Sequence, residues 1–166
     1  MKRITVIGTG FAALSAARRL RQLDRQLEIT VIGPRPELIF LPSLIWIPSG
    51  QRKAEDLRIP LQEFFRKSDI RFHAGEATGL EKGGRTVLTS AGPVDNDGLI
   101  VACGGRFIKK LPGIEHAILP CEGTAAVERL RDRVQAMREG AIALGFAGNP
   151  NEPSAMRGGA IFQFLF

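Results

Sequence analysis

Residues 4–13 read Ile4-Thr5-Val6-Ile7-Gly8-Thr9-Gly10-Phe11-Ala12-Ala13, and this stretch decides the fold. A β-branched apolar run stops at Gly8, and from there to Ala13 the pattern is G-x-G-x-x-A. In this pattern Gly8 permits a tight turn, Gly10 lets the backbone approach a pyrophosphate, and Ala13 allows close helix-to-strand packing. A helix that begins here presents N–H groups and a positive dipole end to an anion. The alternative is a tight strand-to-helix turn that binds no ligand.

The residues after this motif complete a β-α-β unit. A helical pattern runs from Phe11 to about Arg25, and a second apolar run covers Leu27–Ile32. Because the crossover is a helix, the two strands are predicted to pair in parallel. The predicted fold class is therefore α/β, a Rossmann-like domain with a parallel sheet and crossover helices. The predicted buried side of the helix is Ala13, Ala16, Ala17, Leu20 and Leu23, and its solvent side is Arg18, Arg19, Arg21 and Gln22.

The next eighty residues alternate between helical, extended and turn patterns. Pro34–Gly50 contains four prolines and is predicted to be irregular, a poor sheet strand that wraps over another part of the protein. The stretch Gly75–Asp97 consists of short strand-like runs separated by turn signals, and it predicts a small antiparallel β-meander laid against the parallel sheet. The other predicted elements are a helix over 60–67, a parallel strand over 70–73, meander strands over 76–81, 86–90 and through Pro93-Val94, and an apolar strand over 99–102.

The C-terminal part predicts a further helix, a buried strand over Ala141–Phe146 and a helix that starts near Gly158. The chain ends on Phe164-Leu165-Phe166, an apolar helix start without a polar end, so we expect a fragment of a longer protein or one half of a split one. The exposed aromatic residues also predict a homo-oligomer. The first of these helices covers Glu122 to about Arg138, with one face made of Ala126, Leu130, Val134 and Met137.

The composition fits a globular protein of one ordinary domain, with 166 residues of which 44% are apolar and 24% are charged. No apolar run approaches the ~20 residues of a membrane span, and no signal peptide is recognised, so a cytoplasmic protein is expected. Two cysteines and two histidines have no metal-ligand spacing, and no metal site is predicted.

The net charge of +6 raises the question of a nucleic-acid partner. The basic residues are interleaved with acids and do not cluster with aromatic residues, which favours a solvated surface. We therefore predict no nucleic-acid partner. Attraction to an anionic membrane surface or to phosphates is the alternative use of the charge.

The usual partner of the glycine motif is absent. An Asp or Glu normally closes the second strand and holds a ribose hydroxyl, but here Ile32 is followed by Gly33-Pro34-Arg35. Either backbone groups and Arg35 replace the carboxylate, with Arg35 on a phosphate or stacked on adenine, or Arg35 is a surface residue of a Pro-rich loop. The missing carboxylate also leaves room for a 2′-phosphate, so more than one nucleotide fits the pattern.

Four stretches have the character of a known family: Gly8–Ala13; Ile29–Ile32 running into Phe40–Ser43 and Trp46–Gly50; Leu99–Gly104; and Gly145–Gly159 before Phe162-Gln163-Phe164. On these residues the chain resembles the sulfide:quinone oxidoreductase and flavocytochrome c sulfide dehydrogenase group of pyridine-nucleotide-disulfide oxidoreductase-like flavoproteins. It is similar, more distantly, to type II NADH dehydrogenases. The resemblance covers essentially all 166 residues, as the N-terminal portion of such a protein.

The resemblance implies FAD as the cofactor and an FAD-binding domain over residues 1–120. Residues 121–166 would be a linking helix and the truncated start of a second dinucleotide-type domain. The implied cofactor-binding residues are Gly8, Gly10, Phe11 and Ala12 at the pyrophosphate, Gly33 and Arg35 by the adenosine, Ala77 near the adenine, Pro42 and Ser43 on the isoalloxazine side, and Ala102, Cys103 and Gly104 along the cofactor.

Cys121 is the candidate catalytic residue, similar in position to one redox cysteine of sulfide:quinone oxidoreductases. A dipole at a helix N-terminus favours its thiolate, while Glu122 in the predicted first turn opposes it. The second family cysteine has no counterpart, since that region reads Ser154–Gly159. An ordinary semi-buried cysteine is therefore the alternative. Cys103 replaces a family threonine and is expected to be a small buried residue, and His73 is expected to be structural.

Two functions from different classes follow. The first is part of an FAD-dependent oxidoreductase that passes electrons from a donor such as sulfide or NADH to a quinone or cytochrome, in a cytoplasmic protein that contacts the membrane surface. The second is a nucleotide-binding module or assembly subunit without turnover, and it agrees with the missing ribose carboxylate and the missing second cysteine. In either case we expect the isolated chain to be inactive.

Overall fold

A computed structural model describes residues 2–105, 109–110 and 112–145. The chain divides into two compact units, the first made of Met1–Ile39 and Arg58–Phe107, the second of Phe40–Leu57 and Ile108–Phe166. None of the helices in the described ranges could cross a membrane, because the longest have 13 residues.

The first unit is a four-stranded parallel sheet with helices, so the predicted α/β fold class is confirmed. The strand order is β5-β2-β1-β9, and all three pairings are parallel. Strand β1 therefore lies inside the sheet, with β2 on one side and β9 on the other. The elements of this sheet and its helices are β1 (Arg3–Ile7), α1 (Phe11–Leu23), β2 (Glu28–Gly33), α2 (Gln62–Lys67), β5 (Arg71–Ala74) and β9 (Gly98–Val101).

Apolar residues of the sheet pack on both of its faces. On one face Val6, Ile29 and Val31 are at most 2% exposed and pack with Ala13 and Ala17 of α1. Residues from the α2 region, among them Leu61, Phe65 and Ile70, complete this cluster. On the other face Ile7 and Ile32 pack against Val87 of the antiparallel sheet. Burial on both faces explains why the inner strands read as continuous apolar runs.

The predicted meander is a three-stranded antiparallel sheet, in the order β6-β7-β8. His73 of the parallel sheet joins it through a 2.8 Å hydrogen bond to Thr89 Oγ1. Because the Thr89 hydroxyl donates to the carbonyl oxygen of Gly92 at 2.6 Å, its oxygen accepts from His73 Nε2–H. His73 therefore connects the two sheets, as a structural residue does. The strands are β6 (Ala77–Glu81), β7 (Thr86–Thr89) and β8 (Val94–Asp95).

The segment Pro34–Gly50, predicted to be irregular, contains regular secondary structure in spite of its prolines. A short strand, β3 (Glu37–Ile39), pairs antiparallel with β4 (Arg58–Pro60). Pro60 thus ends a strand and does not lie in the first turn of α2. The pair tolerates prolines because it is a separate two-stranded sheet with free edges.

Two predictions about α1 are wrong. Leu23, predicted to be buried, is 66% exposed in the last turn. Arg21, predicted to face solvent, has a side chain that is only 15% exposed. Its guanidinium donates to the carbonyl oxygens of Ser68 and Asp69 at 3.0 and 2.6 Å, so it satisfies backbone acceptors in the turn after α2.

The second unit contains the helix α3 (Thr124–Ala136), which is shorter than predicted at both ends. Ala126 and Val127 are buried, whereas Val134 and Met137 of the predicted apolar face are exposed. Helix α3 packs against the 3-10 turns Leu41–Trp46 and Pro120–Glu122. The buried side chains of this unit also include Leu44, Ile47, Ala54 and Leu57.

The predicted buried strand over 141–146 is wrong in its described part. Residues 141–145 form no strand, and Ile142 and Leu144 are 55% and 43% exposed. An extended segment needs a partner for its backbone N–H and C=O groups, and none of the described strands pairs with it. Phe146 and the helix predicted from Gly158 lie outside the described residues.

Asp97 ties the start of β1 to the start of β9. Its carboxylate accepts a 2.8 Å hydrogen bond from the Arg3 backbone N–H, and its own N–H donates to the Arg3 carbonyl oxygen at 2.7 Å. The backbone N–H of Arg3, with a smaller contribution from its guanidinium, lowers the pKa of the Asp97 carboxyl. The ionised carboxylate therefore stabilises the fold above its unfolded-state pKa, roughly 4, and this stabilisation is lost as the pH falls through the lower folded-state value.

We expect Asp97→Asn to lower the melting temperature at neutral pH and to flatten its dependence on pH between about 5 and 3. The measurement is thermal unfolding followed by circular dichroism across this range. Glu81→Gln is the matched control, because the Glu81 side chain is exposed and has no hydrogen bond or ion pair with any described residue. Parallel pH profiles for Asp97→Asn and the unchanged chain would contradict this account.

Candidate functional site

Gly8 forms the turn after β1 under a tight steric constraint. Its N–H donates to the Ile32 carbonyl oxygen at 2.8 Å, and the Ala102 N–H donates to the Ile7 carbonyl oxygen at 2.9 Å. Its φ is +116°, and a β-carbon placed on it would lie 2.4 Å from the carbonyl oxygen of Ala102. Only glycine satisfies both the backbone angle and this approach.

Gly10 precedes α1 under no such constraint. Its φ of −77° and ψ of 178° suit any residue, and a β-carbon placed on it would meet nothing within 4 Å. The helix that follows has no side-chain cap from Gly10 and no acidic residue in its first turn. Ala13 is fully buried, so the start of α1 lies close to the sheet. The result is an open, backbone-lined position at the positive end of a helix, which fits the pyrophosphate of a dinucleotide.

Three more of the predicted residues lie where the parallel strands end. Ala102, Cys103 and Gly104 follow β9, next to the turn at Gly8. Cys103 is exposed, with its Sγ 3.9 Å from the Ile7 carbonyl oxygen, so the expectation of a buried cysteine is wrong. The reason is that β9 stops at Val101, and the chain then leaves the sheet over the turn after β1.

Gly33 and Ala77 lie at the other side of the same edge. Gly33 is the last residue of β2, and its carbonyl oxygen accepts a 3.0 Å hydrogen bond from the Gly75 N–H. After Gly75 the chain enters β6, whose first residue is the exposed Ala77. Because parallel strands end at one edge of a sheet, the structure brings these residues to the edge that holds Gly8 and Gly10.

Arg35 lies two residues beyond β2 and borders a surface cleft of about 310 Å³. Its side chain is 67% exposed, and its Nη1 is 3.8 Å from Glu37 Oε1. Arg58 holds the same carboxylate oxygen at 2.7 Å. The cleft is lined by Arg35, Pro36, Glu37, Arg58, Pro60 and Gln62.

Pro42, Ser43 and Cys121 belong to the second compact unit. Pro42 and Ser43 lie in the turn Leu41–Trp46, which contacts the turn Pro120–Glu122 that carries Cys121. The predicted isoalloxazine-side residues and the candidate catalytic thiol therefore lie on two turns that contact each other. Cys121 is exposed.

The local structure around Cys121 differs from the predicted one. Helix α3 begins at Thr124, so Cys121 lies three residues before it, in a 3-10 turn. Glu122 is in that turn and not in the first turn of α3, and its carboxylate forms a 2.6 Å ion pair with Lys109. The proposed opposition between a helix dipole and Glu122 therefore does not describe this thiol. The described residues contain no group of acids, cysteines and histidines that could hold a metal ion.

Sequence reasoning missed Thr9 and Gly75. A β-carbon placed on Gly33 would lie 2.8 Å from Thr9 Cγ2, so Thr9 faces the end of β2. Gly75 is buried, and its backbone N–H donates a hydrogen bond to the carbonyl oxygen of Gly33. The signal for Gly75 was its position directly after the third parallel strand, whereas no pattern in the sequence pairs Thr9 with Gly33.

The model of the pyridine nucleotide-disulphide oxidoreductase family matches residues 2–142. The chain belongs to this family. The resemblance stated from the sequence is thereby confirmed, and FAD, the predicted cofactor, is the cofactor of the flavoproteins of this family to which the chain is similar.

Individual relatives agree with this assignment. The chain is 33% identical over 115 residues to the sulfide-quinone reductase of Aquifex aeolicus (strain VF5), which is 69% of this chain and 27% of that protein. It is 28% identical over 116 residues to the type II NADH:quinone oxidoreductase of Staphylococcus aureus (strain NCTC 8325 / PS 47), which is 69% of this chain and 28% of that protein.

The solved structures include the sulfide:quinone oxidoreductase from Aquifex aeolicus, with a TM-score of 0.72 and 29% identity. The match covers 81% of this chain and 32% of that one. The chain thus spans about a third or less of the length of these relatives.

We expect Gly8→Ala to lower the free energy of unfolding by about 2 kcal/mol or more, because the substitution adds a positive-φ penalty to a clash with backbone atoms. The measurement is urea unfolding of the chain without added nucleotide. Gly10→Ala is the matched control and should change the free energy by less than about 0.5 kcal/mol, since its β-carbon meets open space. Equal losses in the two variants would refute the steric role given to Gly8.

Proposed function

We propose that the chain is the FAD-binding part of a flavoprotein oxidoreductase that passes electrons from sulfide or NADH to a quinone or cytochrome. The observation that carries this proposal is the open position over Gly10 at the start of α1, on the edge where Gly8, Gly33 and Ala102 meet. The choice of donor and acceptor is supported by the relatives, one a sulfide-quinone reductase and one a type II NADH:quinone oxidoreductase.

In this proposal each predicted cofactor-binding residue contacts a particular part of FAD. When bound, FAD would supply two-electron redox chemistry, while the protein holds and orients it. Self-association, contact with a membrane surface and a domain boundary near residue 120 are further parts of the proposal. The residues that would hold FAD are Gly8, Gly10, Phe11 and Ala12 at the pyrophosphate, Gly33 and Arg35 at the adenosine, Ala77 at the adenine, Ala102, Cys103 and Gly104 along the cofactor, and Pro42 and Ser43 beside the isoalloxazine.

Cys121 is proposed as the thiol that takes part in oxidation of the donor. Its exposure and its position on a turn that contacts the turn of Pro42 and Ser43 support this role. Cys103, the other cysteine of the chain, is exposed as well and follows β9 in the first unit. Because Cys103 is itself assigned to the cofactor, it does not serve as a control for Cys121.

A second candidate function is a nucleotide-binding module without turnover. The observation in its favour is that β2 ends in Gly33, so no carboxylate is available there to hold a ribose. This alternative shares the nucleotide site and differs in having no electron transfer.

The first test is the visible absorption spectrum of the purified chain, before and after addition of FAD and desalting. We expect flavin bands to be retained, and we expect Gly10→Ala to weaken FAD binding at least about tenfold, which is about 1.4 kcal/mol. Its methyl group would occupy the place of the pyrophosphate without disturbing the fold.

Gly79→Ala is the matched control for this test. Its β-carbon would make ordinary contacts with Leu88, 3.5 Å away, on the antiparallel sheet. It should leave FAD binding unchanged. Absence of retained flavin in the unchanged chain, or equal binding by Gly10→Ala, would count against the proposed site.

The redox part is tested by anaerobic addition of sulfide or NADH to the flavin-loaded chain. If sulfide bleaches the flavin, Cys121→Ser should slow the bleaching at least about a hundredfold, roughly 2.7 kcal/mol of barrier, while Gly79→Ala, on the antiparallel sheet, should retain most of the rate. Flavin that neither donor reduces even in the full-length protein would favour the module without turnover, because the isolated chain is expected to be inactive under either function.

A further inference from the structure

The exposed side of α1 carries arginines that are free of acidic partners. Residues 1–23 contain five basic residues and no Asp or Glu. Arg18 and Arg19 lie in α1, and Arg25 lies two residues beyond its end. All three are exposed, and their side chains have no hydrogen bond or ion pair with any described residue. The interleaving of bases with acids that characterises the chain as a whole is therefore missing from this helix.

Arg21 does not belong to this exposed group, because it holds the end of the helix in place. Its guanidinium donates to the carbonyl oxygens of Ser68 and Asp69 at 3.0 and 2.6 Å, and to that of Arg25 at 2.8 Å. The backbone at Arg25 is thereby fixed beside α1 and beside the turn after α2. The three exposed arginines thus belong to one ordered surface.

The acidic residues on this side of the sheet are already engaged. Helices α1 and α2 pack on the same face, and residues 11–27 and 61–70 contain six basic and three acidic residues, a net charge of +3. The contacts of the three acids are Glu63 with Arg66 and Lys67 at 2.8 and 3.1 Å, Asp69 with Arg21 at 3.8 Å, and Asp24 with the Gln26 N–H at 2.7 Å. The excess positive charge is therefore available to a partner outside the described residues.

An exposed apolar side chain lies beside these arginines. Leu23 is 66% exposed in the last turn of α1, four residues after Arg19, and residues at this spacing are neighbours on a helix surface. Cations beside an apolar side chain suit the surface of a bilayer, where the cations bind phosphates and the apolar group enters the headgroup layer. Nucleic acid without defined sequence is bound by aromatic residues beside the bases, and α1 has no aromatic residue after Phe11.

We propose that the α1 face, made of Arg18, Arg19, Leu23 and Arg25, docks onto anionic phospholipids at a membrane surface. The guanidiniums bind phosphate oxygens in pairs of hydrogen bonds, and Leu23 enters the headgroup layer. This inference rests on the membrane contact included in the proposed function, and it names the surface that makes this contact.

The test is co-sedimentation of the full chain with vesicles. We expect binding to vesicles of equal parts phosphatidylcholine and phosphatidylglycerol that weakens as the ionic strength rises, and no binding to phosphatidylcholine alone. The triple variant Arg18→Gln/Arg19→Gln/Arg25→Gln should lower the affinity at least about thirtyfold, because each cation at an anionic surface contributes about fivefold.

A second triple variant, Arg52→Gln/Lys53→Gln/Lys82→Gln, is the matched control. It removes the same charge from three exposed side chains that have no ion pair with any described residue. It should lower the affinity less than about threefold. Equal losses in the two triple variants would show that net charge alone drives binding, and would overturn the role of the α1 face.

The apolar part of the proposal has its own pair of variants. Leu23→Ala should weaken vesicle binding at least about threefold, whereas Leu80→Ala should not, although Leu80 on the antiparallel sheet is 52% exposed. Equal binding by Leu23→Ala and the unchanged chain would contradict insertion of Leu23.

Two further readouts test other surfaces and other partners. Trp46 is the only tryptophan of the chain and belongs to the second unit, so tryptophan emission reports on that unit. A blue shift on addition of anionic vesicles, with binding retained by the α1 triple variant, would assign the contact to the second unit and overturn the inference. Duplex DNA bound through the same three arginines, and more tightly than the vesicles, would assign the α1 face to nucleic acid instead.

Retention of FAD separates this inference from the proposed cofactor site. The α1 variants should retain FAD as the unchanged chain does, because none of their residues is assigned to the cofactor. A chain that retains no FAD but binds anionic vesicles through the α1 face would refute the cofactor site alone. A chain that retains FAD and binds vesicles equally well without the three arginines would refute this inference alone. If the unchanged chain binds no anionic vesicles even at low ionic strength, the membrane contact and the inference both fall.

Discussion

The close approach of Gly8 to the backbone of Ala102 is the constraint on which the rest of the candidate site depends. Strands β1 and β9 pair in parallel up to Ile7 and Val101, so the chain segments that follow them diverge from adjacent positions. The segment after β1 must turn sharply into α1, while the segment after β9 passes over that turn. A β-carbon on Gly8 would lie only 2.4 Å from the carbonyl oxygen of Ala102, so both paths require a residue without a side chain at Gly8. The position of α1 relative to the sheet, and hence of the helix start that faces a ligand, follows from this turn.

Three glycines at this edge are glycines for different physical reasons. Gly8 is required by its positive φ and by the backbone of Ala102, so its constraint belongs to the fold. Gly10 has ordinary angles and open space, so the fold does not require a glycine there; we propose that a ligand approaching the backbone does. Gly33 has ordinary angles but a neighbour at 2.8 Å, so its constraint is a second side chain, that of Thr9. The same residue type thus serves the fold at Gly8, local packing at Gly33 and, in the proposed function, a ligand at Gly10, and only the surroundings of each residue distinguish these roles.

The sequence predicted the first unit well because its signals are local. The β-branched run, the glycine turn and the alanine-rich helix over 4–23 lie within one β-α-β unit, where hydrophobic periodicity and crossover geometry leave few alternatives. The failures depend on partners remote in sequence. Arg21 is half-buried because carbonyl groups 47 and 48 residues away accept its hydrogen bonds. Residues 141–145 are apolar enough for a strand, yet no described strand pairs with them. The exposure of Cys103 depended on where β9 ends, which propensity locates only within a few residues.

The residues named in the proposed function fall in both compact units. The first unit carries the residues assigned to the pyrophosphate and the adenosine, and the second carries Pro42, Ser43 and Cys121, which are assigned to the reacting end of the cofactor. The chain leaves the first unit at Ile39 and returns at Arg58, two residues paired in one antiparallel ladder. Because the ends of this excursion are held by strand pairing, its residues can change without a change in the register of the parallel sheet.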